Sequence, residues 1–401
     1  MTKLLKDIGT WLRKNDVLCV DHLMVCIGVL LLAVLLAYLG SNLAVFSPLK
    51  RALEDFSMTD VYFEMQRRPD NVANKNIVLV DMTDLVNRDK IAEVIDNIND
   101  CEPRVLLVDL IFLYGGMRNN EEEDERLLAT VQRTKNAIYS CKLTDYSETK
   151  KEFRHVVYSF FKDVPGYSAN LHWGYSNVHE MRSSGIIRDF SLSQNTSEGI
   201  VYSLPYYVAN MCNGTEPTPT NNEMRVVVYN NTPFTELHHS DVKKHSQMLK
   251  GKIVILGTMH EESDMHITPL GKMPGMKVLA YAIQSYMEHP DVKEMSFPGS
   301  LLFSFLMAYF SAWMGVMITR RFPNTYLHVL KVYYFVIMAL LVWVGFICFV
   351  KFSYNLKLIY PLLSIALVEE SRHLYKWLII SLSKRGKPEI VKKSIYAIKK
   401  K

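Results

Sequence analysis

Three stretches of this chain, 22–49, 297–319 and 332–350, contain no Asp, Glu, Lys or Arg. Lipid offers an unpaired backbone amide or carbonyl no hydrogen-bond partner, so a long apolar run must form a helix that pairs its own backbone. Crossing the hydrocarbon core takes about 17–25 predominantly apolar residues, and all three runs meet that length. A fourth run, 358–368, is too short alone and is closed by Glu369 and Glu370. It reaches across if its helix begins near Phe352, with Lys357 snorkelling outward and the glutamates at the inner headgroups. Membrane helices are therefore expected at 22–46, 297–319, 332–350 and 353–371, one before and three after a long polar segment at 47–296.

Basic residues beside membrane helices stay on the cytoplasmic side. Lys3, Lys6, Arg13 and Lys14 precede the first run, and Arg320, Arg321 and Lys331 separate the second from the third. The segment 372–401 holds ten basic residues against Glu389 alone. Four spans with both termini inside accommodate every cluster. Residues 1–21 and the basic tail 372–401 are then cytoplasmic, and 47–296 lies in the periplasm or extracellular space of a multi-pass inner (plasma) membrane protein. The first run is expected to be an uncleaved signal anchor. Asp7, Asp16 and Asp21 stand before it, and its apolar stretch exceeds the ~7–15 residues of a signal-peptide core. The formal charge of +5 comes largely from the tail and gives no reason to expect nucleic acid. Each Lys or Arg near an anionic leaflet contributes on the order of 1 kcal/mol, which makes membrane lipid the tail's expected partner. Docking of the tail as a helix on a protein is the alternative.

The segment between the first and second runs alternates strand and helix patterns. Residues 77–80 (IVLV) form a continuous apolar run, as a strand buried on both faces requires. In 90–99, Ile91, Val94, Ile95 and Ile98 mark one helical face. Residues 104–112 (RVLLVDLIF) read as a second buried strand, 122–133 as a helix and 137–143 as a third strand. Such alternation predicts an α/β domain with a mainly parallel sheet and right-handed crossovers. Residues 143–170 show no period and are expected to be irregular. Strands are expected at 185–192, 224–230 and 252–257, with helices at 203–212 and 276–288. Of the cysteines, Cys101, Cys141 and Cys212 fall in this domain, so at most one disulfide can close within it and one thiol is left over.

In order, these pieces resemble the CHASE domain of the second class, a sensory domain associated with cyclases and histidine kinases. The resemblance is carried by Asp60, the run 77–84 (IVLVDMTD), Arg88, Asp109, and Asp124 with Leu127. It continues through Gly174 and Asn177 and the turn Gly185-Ile186-Ile187-Arg188. Its fullest match is 251–283, with GKIVILGT, Asp264, Thr268-Pro269 and Met273-Pro274-Gly275. The family usually has a histidine shortly after the Pro-Gly. Leu279 stands there, so no role of that histidine carries over. The resemblance implies an extracytoplasmic stimulus-binding domain, a three-helix membrane cluster after it, and an effector beyond. About 30 residues follow Glu370, too few for a catalytic domain.

Asp81, Asp84 and Asp109 fall at C-terminal ends of expected parallel strands, the edge at which open α/β sheets bind ligands. With Arg188 and Asp264 they form the candidate ligand site. Their other use is capping the following helices, with Arg188 paired to one of them. His260, Asp264 and His266 have ligand chemistry suited to zinc, yet no further ligand stands near and no metal is expected. His238, His239 and His245 are weaker candidates still. The glycines fit no phosphate-binding fingerprint, and no GxSxG, Cys–His nucleophile pair or HExxH occurs. No cofactor and no catalytic activity are expected. The chain reads as a membrane-anchored sensor or regulatory subunit relaying to a separate effector protein. A structural subunit of a cell-envelope assembly is the alternative, and a homo-oligomer stays open.

Overall fold

Among the strands, four short apolar runs pair side by side and in the same direction, which puts their C-terminal ends on one edge. This is seen in a computed structural model that describes residues 19–42, 73–113, 121–164, 171–177, 185–220, 223–288, 293–384 and 394. The chain divides into two units, 59–291 and a second made of 1–58 with 292–401. The first helix, α1 (Val20–Asn42), belongs to the second unit.

In the unit 59–291, strand β1 (Ile77–Asp81) is followed by α2 (Arg88–Asn99), β2 (Val105–Val108), α3 (Glu121–Arg133) and the long β3 (Ala137–Ser147). Then come β4 (Glu152–Val157), β5 (His172–Tyr175), β6 (Asp189–Ser191), β7 (Ser193–Thr196), β8 (Gly199–Tyr202), α4 (Leu204–Asn213), β9 (Met224–Val226), β10 (Thr235–His238) and β11 (Ile253–Gly257). A hairpin of β12 (Met265–Thr268) and β13 (Gly271–Pro274) leads into α5 (Gly275–Glu288). The sheet order is β10-β1-β11-β2-β3-β4-β7-β8, with β5 also on β3. From β10 through β3 every pairing is parallel, and β3–β4 and β7–β8 are antiparallel. The fold is therefore mixed α/β with mainly parallel strands.

Side-chain alternation divides the core into two layers. Ile77, Leu79, Val105, Leu107, Ile253 and Ile255 face α4 and α5, where Leu204, Val208, Met276, Leu279 and Ile283 pack. Val78, Val80, Leu106, Val108, Val254 and Leu256 face the other way, onto Ile91, Ile95 and Ile98 of α2 and Leu127 and Val131 of α3. Burial on both faces is why these strands read as unbroken apolar runs. An ion pair of Arg88 with Asp124 joins α2 to α3, and the Arg88 guanidinium also lies over Phe160.

Several expectations differ from this. Residues 143–170 are not all irregular. β3 runs on to Ser147 and turns back as β4, where alternating polar residues on a half-exposed hairpin hid the period. The second strand ends at Val108 rather than 112, because its last sheet bond is from Asp109 N to Leu256 O. Of 185–192 only β6 is a strand, paired with β9 alone. Asp60 lies outside the described residues. Cys101, Cys141 and Cys212 are free and buried, and burial pushes the Cys141 thiol up to about 12.

In the unit of 1–58 and 292–401, α1 is joined by α6 (Phe297–Arg321), α7 (Tyr326–Phe352) and α8 (Ile359–Lys384). Among the described residues, three helices can cross a membrane by length and composition, Val20–Leu39, Phe297–Arg321 and Tyr326–Phe352. α8 is not one of them, since Glu369, Glu370, Arg372 and Lys376 interrupt its apolar run. Of the four expected membrane helices, length and composition thus support three. The fourth helix begins later than 353, because Tyr354–Asn355 pair with Lys293–Glu294 and Lys357 bonds Glu294 at 2.9 Å. Helices α6 and α8 lie side by side in parallel: Phe297 meets Tyr360, Ala308 and Ala312 share a core with Val368, and Thr319 meets Arg372. α1 runs antiparallel to α8, with Val25 O accepting from Ser371 Oγ at 2.7 Å and Asp21 accepting from Tyr375 Oη at 2.7 Å.

Small residues set this approach. A Cβ on Gly28 would collide with Ser371 Oγ, so the glycine leaves room for the hydroxyl to reach Val25. Ser371→Ala is expected to cost about 0.6 kcal/mol, the usual size of an interhelical hydrogen bond in a membrane protein. Gly28→Ala should lower the thermal midpoint of the detergent-purified chain more in the native background than in Ser371→Ala. Equal losses in the two backgrounds would contradict the close approach.

Candidate functional site

Because β11, β2 and β3 are parallel neighbours, the chain leaves all of them on one edge, and a cavity of about 460 Å³ opens there. Asp109 follows β2, Ser140 and Lys142 lie on β3, and Thr258 follows β11. Glu261, Ser263, Asp264 and His266, from the loop and hairpin after β11, line it too, as does Gly275 at the first turn of α5. This is the edge where an open parallel sheet binds ligands.

Two carboxyl groups dominate the charge. Burial pushes the Asp109 carboxyl up to about 7, and the neighbouring Asp264 pushes it the same way. The Ser140 hydroxyl and the His266 ring pull it back down. Asp264 sits against the start of α5, with His266 Nε2 at 3.5 Å from its Oδ1. A Cβ on Gly275 would lie 2.6 Å from Asp264 Oδ1. Only a glycine admits the carboxylate there, where free amides at the helix N-terminus favour an anion. Glu261 adds another negative group, and Lys142 a positive one.

The five residues expected from sequence separate into distinct places. Asp109 and Asp264 come together in the cavity. Asp81 instead accepts hydrogen bonds from Thr83 N at 3.0 Å and Met259 N at 3.1 Å, which ties the end of β1 to the loop after β11. Asp84 lies beside His238, the last residue of the edge strand β10, and His239, the next residue. Arg188 is buried, its carbonyl accepting from Val227 N, and is not one of the lining residues. The N-cap position of α2 is Asn87, so neither Asp81 nor Asp84 is the residue that opens that helix. His260 turns toward Asp81 at 3.6 Å, away from the Asp264–His266 pair. Lys142, Ser140 and Ser176 were not singled out from sequence, since polar residues in an ordinary strand and loop carry no motif.

Residues 29–318 match the family model described as the CHASE2 domain. The chain belongs to the CHASE2 family. No curated protein and no solved structure matches it. A CHASE2 domain with helices apolar and long enough to cross a membrane fits a membrane sensor with an extracytoplasmic domain. The positions that carry the CHASE2 resemblance have visible work. Arg88 and Asp124 clamp two helices, and Asn177 exchanges hydrogen bonds with the Leu143 backbone at 2.6 and 2.9 Å. Gly174 allows close approach of Leu204, and Gly185 takes a left-handed φ of 65°. Leu279, where the family usually has histidine, presents an apolar wall to the cavity.

The raised Asp109 has a sign that can be measured. In the unfolded chain its carboxyl titrates at its ordinary 3.8, and in the folded chain at about 7. The folded state therefore holds the extra proton between those values, and its stability falls as pH rises through them. Urea midpoints of the full-length chain should show this fall, and Asp109→Asn should flatten it. A variant with the native pH slope would show that Asp109 is not the titrating group.

Proposed function

We propose that the cavity between Asp109 and Asp264 receives a polar stimulus molecule, and that the chain is a non-catalytic sensor or regulatory subunit. The observation that carries this reading is the placement of Gly275. It lines the cavity and opens α5, and the chain continues from Glu288 to Phe297, where α6 begins. A ligand that reorganises Asp264 acts on the first turn of the helix that leads toward the membrane. Glu261 and Asp264 outnumber Lys142, and the Asp109 carboxyl adds further oxygens, which favours a ligand bearing hydrogen-bond donors or a positive group. The lack of any catalytic sequence motif supports a binding role.

In this reading α8 is the fourth span. It lies parallel to α6 from Tyr360 beside Phe297 to Arg372 beside Thr319, the same depth range as a helix that can cross. Two of its charged residues are matched inside the bundle: Arg372 bonds Glu369 at 2.5 Å, and Glu369 accepts from Tyr334 at 3.2 Å. Both termini are then cytoplasmic, the CHASE2 domain lies in the periplasm or extracellular space of an inner membrane protein, and the signal passes to a separate effector. Purification in mild detergent tests the relay. A stoichiometric cytoplasmic signalling enzyme is the expected companion. Recovery of envelope structural proteins alone would overturn the reading in favour of a fixed assembly subunit.

A further inference from the structure

We propose that Asp84, His238 and His239 form a binding site for a divalent transition-metal ion of the zinc class. The site follows from register. β1 and β10 are parallel neighbours with Asp81 opposite His238, so the loops leaving them emerge together. Asp84 Oδ1 lies 3.0 Å from His239 Nε2 and 3.3 Å from His238 Nε2. One ligand atom from each of the three falls within 4.8 Å of the others. Zinc bonds of about 2.0–2.2 Å set ligand atoms roughly 3.3 Å apart in a tetrahedron, so both distances fit with little movement.

The donor set and its support agree with this assignment. Two imidazoles and a carboxylate suit zinc and its first-row neighbours, and leave a position for water. Ser240 Oγ lies 2.8 Å and Ser240 N 3.4 Å from His238 Nδ1, which holds the ring with Nε2 toward Asp84. With a metal on Nε2 the proton would sit on Nδ1 and be donated to Oγ, the outer partner of a ligating histidine. A plain ion pair is the competing account. It would rest on an exposed carboxylate, where such pairs contribute about 0–1 kcal/mol, and would not by itself bring the second ring to a centroid distance of 4.1 Å from the first. None of the three residues lines the cavity, so the site is separate from the proposed stimulus pocket. A bound ion would fasten the edge strand β10 to β1.

The test uses the full-length chain in detergent, stripped with a chelator and dialysed against Zn2+, with bound zinc counted by elemental analysis. The native chain is expected to hold one equivalent. The His238→Ala/His239→Ala double variant should lose it, His245→Ala should keep it, and Ser240→Ala should weaken it ~10–100-fold. Co2+ should give the visible bands of a low-symmetry site in the native chain and lose them in Asp84→Asn, which keeps the side-chain shape. No stoichiometric zinc in the native chain, or an equivalent retained by the double variant, would overturn the proposal.

Discussion

Parallel pairing of strands buried on both faces is the constraint from which the rest of the domain follows. Such strands need apolar residues at every position, so their charged residues can stand only beyond the ends. In β1, β2 and β11 the apolar runs stop at or just before Asp81, Asp109 and Gly257. Parallel register then gathers those ends on one edge. Chemistry that is scattered over nearly two hundred positions of sequence is brought to one rim by the sheet alone.

The order β10-β1-β11-β2-β3 also determines which of these groups can meet. β11 inserts between β1 and β2. Asp109 therefore faces the loop after β11 and meets Asp264, while Asp84 faces the other neighbour, β10, and meets the histidine pair. Adjacent strands in sequence would have suggested a single acidic pocket. Insertion of a strand from 170 residues later makes two places of it (roughly, counting from β1 to β11).

That insertion marks the boundary of what could be read beforehand. Continuous apolar runs identified β1, β2 and β11, and helical spacing identified α2, α3 and α5, because each buries a whole face. Asp109 stands out as an acid at a strand end, and Asp264 through the stretch 251–283 that carries the family resemblance. Arg188 also stood out, but burial among β6 and β9 depends on strands of three residues with no period to detect. The pairing of Asp84 with His238 and His239 is a matter of strand order, which no local pattern encodes. Gly275 is the reverse case. Its position after Met273-Pro274 was visible, while its reason, the carboxylate of Asp264 at 2.6 Å from where a Cβ would stand, is purely three-dimensional.

The bundle obeys a different rule. Lipid does not reward apolar contact between helices, so small residues and interior hydrogen bonds must hold them. Ser300, Ser304, Ala308 and Ala312 give α6 a narrow buried face, and α8 supplies polar groups that find partners within the bundle. A helix too polar to be recognised as a span by composition can thus still sit among spans. The account as a whole requires the CHASE2 domain and the turn between α6 and α7 to lie on opposite sides of the membrane. Single cysteines placed at exposed Glu216 and Asn324 test this in intact cells with a membrane-impermeant maleimide, compared with the unsubstituted chain. Labelling of Glu216→Cys in sealed cells, and of Asn324→Cys only after permeabilisation, is the predicted result. Labelling of both in sealed cells, or of Asn324→Cys alone, would contradict it.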